Sequence, residues 1–243
     1  MAPVTPHLPG TLYLIPTTLG EGSLDVALPE QVKHIAATLR TFIVEHPKTA
    51  RQFLKQIGTQ IPLQELRMLA LNEHTPAAQL PELLQPLLEG ENVGLMSEAG
   101  CPAVADPGAD LVRLAHQQGI KVVPLVGPSS ILLALMASGL GGQRFTFHGY
   151  LPAESSPRLL RIKELEAESR NKQQTQIFIE TPYRNQQLFQ AILETCGKNT
   201  RLCLATDITL PSESIVTRTV AQWRGLQVDI NKKPTVFLIH GGA

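Results

Sequence analysis

Short apolar runs alternating with helical stripes set the tightest limit on what this chain can become. GTLYLIP (10–16) opens at Gly10 and closes at Pro16, the form of a short buried strand. TFIVE (41–45), a run inside ELRMLALNE (65–73), VGLMS (93–97) and KVVPLV (121–126) repeat that form. Between them lie helical patterns: PEQVKHIAATL from Pro29, an amphipathic stretch over 76–90 stopped by Gly90, and DLVRLAHQQG over 110–119. After Pro47, KTARQFLKQIG carries Ala50, Phe53, Leu54 and Ile57 on one stripe and ends at Gly58, a C-cap residue. Strands separated by helices predict a parallel sheet with right-handed crossovers, because parallel neighbours need a crossover between them.

The second half changes rhythm. GPSSILLALMASGLGG (127–142) predicts an apolar helix entered through Gly127-Pro128-Ser129-Ser130. RFTFHGYLP (144–152), TQIFIE (175–180), RLCLATDI (201–208), SIVTRTVAQW (214–223) and TVFLIHG (235–241) follow, with a polar helix before the second and a helix from Pro182 to about Cys196. More strands per residue predict a mixed sheet. The expected organisation is two α/β domains, 1–125 and 126–243, with no internal repeat.

Charge and composition remove several classes. Lys plus Arg equals Asp plus Glu at 21 each, so no net charge draws the chain toward nucleic acid. No apolar run approaches the roughly 20 residues that span a bilayer. The opening MAPVTPHLPG has neither a basic start nor an apolar core, so it reads as a loose leader and the protein as cytoplasmic, without membrane association. Cys101, Cys196 and Cys203 read as reduced, mostly buried thiols. His7, His34, His46, His74, His116, His148 and His240 are scattered singly, and no metal site is expected.

Three turns stand out because each follows a strand at its carboxyl end, where open parallel sheets bind ligands. They are Pro16-Thr17-Thr18-Leu19-Gly20, Ser97-Glu98-Ala99-Gly100 and Gly127-Pro128-Ser129-Ser130. Each offers small residues and main-chain N–H groups rather than charge, which suits a nucleoside-like or amino-acid-bearing cofactor. None is a G-x-G-x-x-G fingerprint or a lysine-bearing phosphate loop. Within LMSEAGCPAVADPG (95–108), Gly100 allows close approach and a positive φ, while Asp106 and Pro107 read as N-cap and first residue of the next helix.

GTLYLIPTTLG, LMSEAGCPAVADPGADLVRLAHQQGIKVVPLVGPSSILLALMASGL, RFTFHGYLPAE and IFIETPYR together resemble the tetrapyrrole methylase superfamily. Within it the similarity runs to the small-subunit ribosomal RNA 2′-O-methyltransferase I branch, and is strongest from Leu95 to Glu154. The resemblance implies an S-adenosylmethionine-dependent methyltransferase of two α/β domains, with the cofactor in the cleft between them and a homodimer as the assembly. It implies a cofactor pocket of Pro16, Thr17, Ser97, Glu98, Ala99, Gly100, Ser129 and Ser130, closed by Pro182 and Thr235. It assigns no catalytic residue. Methyl transfer from a sulfonium depends mostly on positioning, with a base to help an alcohol acceptor.

Three stretches depart from that branch. Thr18-Leu19-Gly20-Glu21-Gly22 stands where Pro-Ile-Gly-Asn-Leu is favoured, and Glu45-His46-Pro47-Lys48 where Glu-Asp-Thr-Arg is favoured. Thr206-Asp207-Ile208-Thr209-Leu210 stands where Arg-Glu-Leu-Thr-Lys is favoured, and Glu98 replaces a shorter Asp. The sequence also ends soon after its last expected strand, short of a longer extension. Two lost arginines weaken phosphate binding; Lys48, Arg51 and Lys55 can stand in, or form an ordinary solvated helix face. Arg158, Arg161 and Lys163, with Glu164, Glu166 and Glu168 after them, read as an exposed helix, or as a flexible lid over the cleft. Glu45 and Glu180 either serve a site or cap the helices begun by Pro47 and Pro182, and His148 reads as a packed residue. The leading expectation is ribose methylation in small-subunit ribosomal RNA. The rivals are C-methylation of a tetrapyrrole-like or other small molecule, and a non-catalytic adenosylmethionine-binding protein.

Overall fold

A computed structural model describes residues 8–22 and 24–242. Most of the expected leader, His7 included, lies outside the described residues. The chain divides into two compact units, Met1–Pro128 and Ser129–Ala243. No described helix is long and apolar enough to cross a membrane.

The N-terminal unit runs β1 (Thr11–Ile15), α1 (Leu24–Ala27), α2 (Glu30–Thr38), β2 (Thr41–Val44), α3 (Pro47–Ile57), β3 (Arg67–Ala70), α4 (Leu80–Leu83), α5 (Gln85–Leu88), β4 (Val93–Met96), α6 (Ala109–Gln117) and β5 (Lys121–Pro124). The five strands form a wholly parallel sheet in the order β3-β2-β4-β1-β5. Each face is covered, so strands such as β2 and β4 are buried throughout. On one face Val32, Ala36, Phe53 and Leu54 of α2 and α3 pack on Ile15, Phe42 and Met96. On the other, Leu83, Leu87, Leu111 and Ala115 of α4, α5 and α6 pack on Leu12, Ile43 and Leu95. Gly94 is required by this packing: a Cβ there would sit 2.6 Å from Ile15 Cδ1 and 2.9 Å from Phe42 Cδ1.

The ends of α3 follow the sequence, with Pro47 in the first turn and Gly58 left-handed, its N–H donating to the Leu54 carbonyl. Two expectations do not hold. The single helix over 76–90 is broken into a 3₁₀ turn, α4 and α5, because Pro81 and Pro86 each lack the N–H that a continuous helix needs and each opens a new short one. Asp106 is not the N-cap of α6: Gly108, at φ 132°, holds that place and the helix starts at Ala109. The connection tightens instead through left-handed residues at Ala103 (φ 65°) and Ala105 (φ 62°).

The C-terminal unit runs α7 (Ser130–Ser138), β6 (Phe145–Tyr150), α8 (Ser155–Lys172), β7 (Thr175–Ile179), α9 (Asn185–Thr195), β8 (Arg201–Thr206), β9 (Ser214–Thr219), α10 (Val220–Trp223) and β10 (Thr235–His240). Its sheet has the order β6-β7-β10-β8-β9 and is mixed, with only β6 and β7 parallel. Ile162 and Leu165 of α8 and Leu188, Phe189 and Ile192 of α9 cover Phe178, Leu202, Leu204 and Phe237. Trp223 closes one end, its Nε1 donating to the Leu202 carbonyl at 2.9 Å and its ring edge-on to Phe189. The expected all-exposed charged helix is corrected at two positions. Arg158 is buried and donates to the Ala153 carbonyl, and Glu166 is buried where it accepts from the Gly197 N–H and the Thr200 hydroxyl. Their sequence spacing puts them on the face that α8 turns toward its core neighbours.

Candidate active site in the N-terminal unit

The crossovers decide where a crevice can open. The connections leaving β1 and β2 carry α2 and α3 on one face, while that leaving β4 carries α6 on the other. Since β4 lies between β2 and β1, its carboxyl end is a place where neighbouring connections part to opposite sides. A cavity of about 1150 Å³ opens there, lined by the turns after all three strands and by α3.

Main chain builds its floor. The Thr17 N–H donates to the Gly100 carbonyl at 2.9 Å in an isolated antiparallel bridge, and the buried Thr17 hydroxyl reaches the Ser97 carbonyl at 3.4 Å. Gly100 adopts φ 73°, which spares a side chain the strained left-handed region. The third turn meets the first: a Cβ on Gly127 would lie 2.2 Å from Pro16 Cγ, so only glycine lets the chain lie against the Pro16 ring. Cys101 Sγ contacts the Pro128 carbonyl at 3.4 Å, and burial pushes its thiol up, away from the reactive thiolate. The three turns singled out in the sequence therefore meet as far as Pro128. Thr18 and Ala99 line the cavity, and their N–H groups have no hydrogen-bond partner among the described residues. Free main-chain donors, glycine-permitted close approach and this volume fit a ligand of the size and polarity of S-adenosylmethionine.

Thr17, Ser97, Glu98 and Ala99 all line the cavity. Ser129 and Ser130 belong to the C-terminal unit, where Ser129 caps α7 by accepting from the Leu132 N–H at 3.5 Å. Pro182 opens the turn after β7 and Thr235 opens the neighbouring β10. The Pro182 carbonyl accepts from the Lys232 N–H, and the Thr235 hydroxyl lies 3.2 Å from that of Thr206.

Two side chains in the cavity were not expected as a pair. His46, the residue after Glu45 at the end of β2, places Nδ1 3.1 Å from Glu98 Oε1. The Thr49 hydroxyl donates to the same oxygen at 3.1 Å. The available signal was that His46 and Glu98 both fall where the sequence departs from its family. Glu45, His46 and Glu98 bring one ligand atom each to within 4.8 Å of one another. Exposed carboxylates gather this way without a metal ion, and the His46–Glu98 distance is that of a hydrogen bond. Burial, then the nearby charges of Asp106 and Glu98, pushes the Glu45 carboxyl up. Burial does the same to Asp106, against the opposing hydrogen bond from Ser97.

The fold is shared with known methyltransferases. The crystal structure of the methyltransferase CobJ superposes with a TM-score of 0.62 at 20% identity, covering 96% of this chain and 94% of that one. Uroporphyrin-III-C-methyltransferase from Thermus thermophilus gives 0.55 at 18% identity, covering 95% and 92%. The model of the Tetrapyrrole (Corrin/Porphyrin) Methylases matches residues 27–223, and the chain belongs to that family of S-adenosylmethionine-dependent methyltransferases. Among curated proteins it is similar to ribosomal RNA small subunit methyltransferase I of Xylella fastidiosa (strain Temecula1), 34% identical over 88% of this chain and 74% of that protein. The protein of the same name from Pasteurella multocida (strain Pm70) is 34% identical over 97% and 80%.

Proposed function

We propose that the protein transfers a methyl group from S-adenosylmethionine to a ribose 2′-hydroxyl of small-subunit ribosomal RNA, acting in the cytoplasm as a homodimer. The main-chain bridge between the turns after β1 and β4, both of which line the cavity, carries the donor half of this reading. The similarity to proteins called ribosomal RNA small subunit methyltransferase I, at 34% identity, supports small-subunit RNA as the acceptor. In this reading Pro16, Thr17, Ser97, Ala99 and Gly100 hold the donor largely by main chain. Glu98 faces it from the same turn, and Ser129, Ser130, Pro182 and Thr235 join by their positions in the family pattern. The donor supplies an already activated methyl, so what the protein adds is orientation, exclusion of water and a place for the acceptor's proton.

Exposed Lys48, Arg51 and Lys55 run along α3, and Lys55 lines the cavity, which offers basic groups suited to a phosphate backbone. The zero net charge and missing arginines favour a second reading, methylation of a tetrapyrrole-like small molecule. Labelled methyl transfer to small ribosomal subunits from a strain lacking the modification separates the two. Label in the RNA is expected, and subunits left unlabelled by protein that binds the donor would overturn the RNA reading. Calorimetry on Ser129→Trp should show donor binding abolished; unchanged affinity would remove Ser129 from the donor set.

A further inference from the structure

We propose that His46 is the general base that takes the acceptor hydroxyl's proton, held in the competent tautomer by Glu98. This rests on the methyl-transfer reading above and adds the group that handles the proton. His46 precedes α3 with an extended backbone (φ −128°, ψ 111°) and makes no side-chain cap, so its ring is not consumed by the helix end. It lines the cavity and its side chain is 59% exposed, within reach of an acceptor. Nδ1 lies on Glu98 Oε1, which the Thr49 hydroxyl also fixes at the first turn of α3, where the helix dipole favours a carboxylate. An imidazole that donates Nδ1–H to a carboxylate keeps its lone pair on Nε2. His46 Nε2 has no partner among the described residues.

Sequence and structure meet at this contact. His46 follows β2 and Glu98 follows β4, and because these strands lie side by side the imidazole and the carboxylate reach each other. During transfer the hydroxyl oxygen forms the new O–CH₃ bond as the C–S bond of the sulfonium breaks, its electron pair staying on sulfur. The hydroxyl proton passes to Nε2, and the imidazolium later releases it to water.

Acidic groups surround the ring. Glu45 adjoins it just after β2, Glu98 faces it from the turn after β4, and Asp106 and Glu73 add further charges nearby. On the other wall, Lys33 is held by Asp25 and Glu30, while Lys55 and Glu21 complete the charged lining.

Two measurements on the full chain test the proposal. Nitrogen NMR of the His46 imidazole, assigned by comparison with His46→Gln, should show the Nδ1–H tautomer, and Glu98→Ala should lose that preference. Single-turnover methyl transfer to unmodified small subunits should fall about 10²–10⁴-fold in His46→Gln, with donor affinity unchanged and the rise of rate with pH flattened. Glu98→Ala should lose on the order of 10–100-fold, as expected of a group that orients an imidazole, with Glu98→Gln partly restoring it. An Nε2–H tautomer in the wild type, or an unaltered pH profile in His46→Gln, would overturn the base assignment. Wild-type protein that leaves the subunits unmethylated overturns the RNA reading instead, and the imidazole signals then decide the pair alone.

Discussion

Glu45 and Glu180 hold matching places in the sequence and opposite circumstances in the fold. Each comes after an apolar strand and stands two residues before a proline that opens the next turn. The Glu180 side chain is fully buried and spent locally: Oε1 accepts from the Thr181 N–H at 2.6 Å and from Arg184 at 2.8 Å. Glu45 has no hydrogen-bond or ion-pair partner among the described residues, and is instead pressed toward its protonated form by burial and by Asp106 and Glu98. The difference arises one helical turn downstream. Four residues after Glu180 comes Arg184; four residues after Glu45 comes Thr49, whose hydroxyl goes to Glu98. One strand end satisfies its own carboxylate, whereas the other leaves acidic groups facing a cavity.

The largest effect is expected from removing the internal cation. Arg184→Ala leaves Glu180 buried without its counter-charge, in a setting where Oε2 already has no partner among the described residues. Breaking a fully buried pair costs about 3–5 kcal/mol; with the Arg184 side chain 38% exposed, about 2–3 kcal/mol is expected. Thermal unfolding should show a Tm lowered by about 4–10 °C. A loss below about 0.5 kcal/mol would mean that the pair is a surface contact in energetic terms.

A smaller effect, of opposite sign, is expected at Glu45. Its raised pKa means that the folded state holds the proton more tightly than the unfolded chain does. Between the ordinary glutamate range and the raised value, folding takes up a proton, so stability falls as pH rises through that window. Glu45→Gln removes the charge that causes the fall. The variant should gain stability over wild type above the window and show no gain below it. Equal denaturant midpoints for the two proteins at every pH would refute the difference drawn between the two glutamates.

The sequence made the frame legible because its strands and helices are set by local patterns: buried runs closed by Pro16, and stripes closed by Gly58. The meeting of Thr17 with Gly100 and of Pro16 with Gly127 was partly legible, since turns that follow strands of one parallel sheet share one edge. The His46–Glu98 contact was not. It depends on β2 lying directly beside β4, an order of strands that no local pattern states. Arg158 and Glu166 misled for a related reason: a charged residue reads as exposed until the partner that satisfies it, such as the Gly197 N–H, is placed beside it. At Asp106 a strong local cap signal lost to the left-handed turn through Ala103 and Ala105, which carries the chain on to Gly108 before the helix starts.

The smallest expected effect comes from copying one strand end onto the other. Thr49→Arg places a guanidinium four residues after Glu45, the spacing of Glu180 and Arg184. An arginine at that distance favours the ionised carboxylate, so the pH window that weakens wild-type folding should narrow or vanish. The gain is bounded, because a partly exposed pair contributes about 0–1 kcal/mol and Glu98 loses the hydroxyl that now fixes it. The decisive reading is therefore a difference across pH and not the midpoint at one pH. Thr49→Arg in the Glu45→Gln background should change little with pH, since no carboxylate remains at position 45 for it to bias. If the arginine shifts the pH dependence equally in both backgrounds, it acts on Glu98 or Asp106. The contrast between the strand ends would then belong to the whole acidic group around the cavity, with Glu45 as only one member of it.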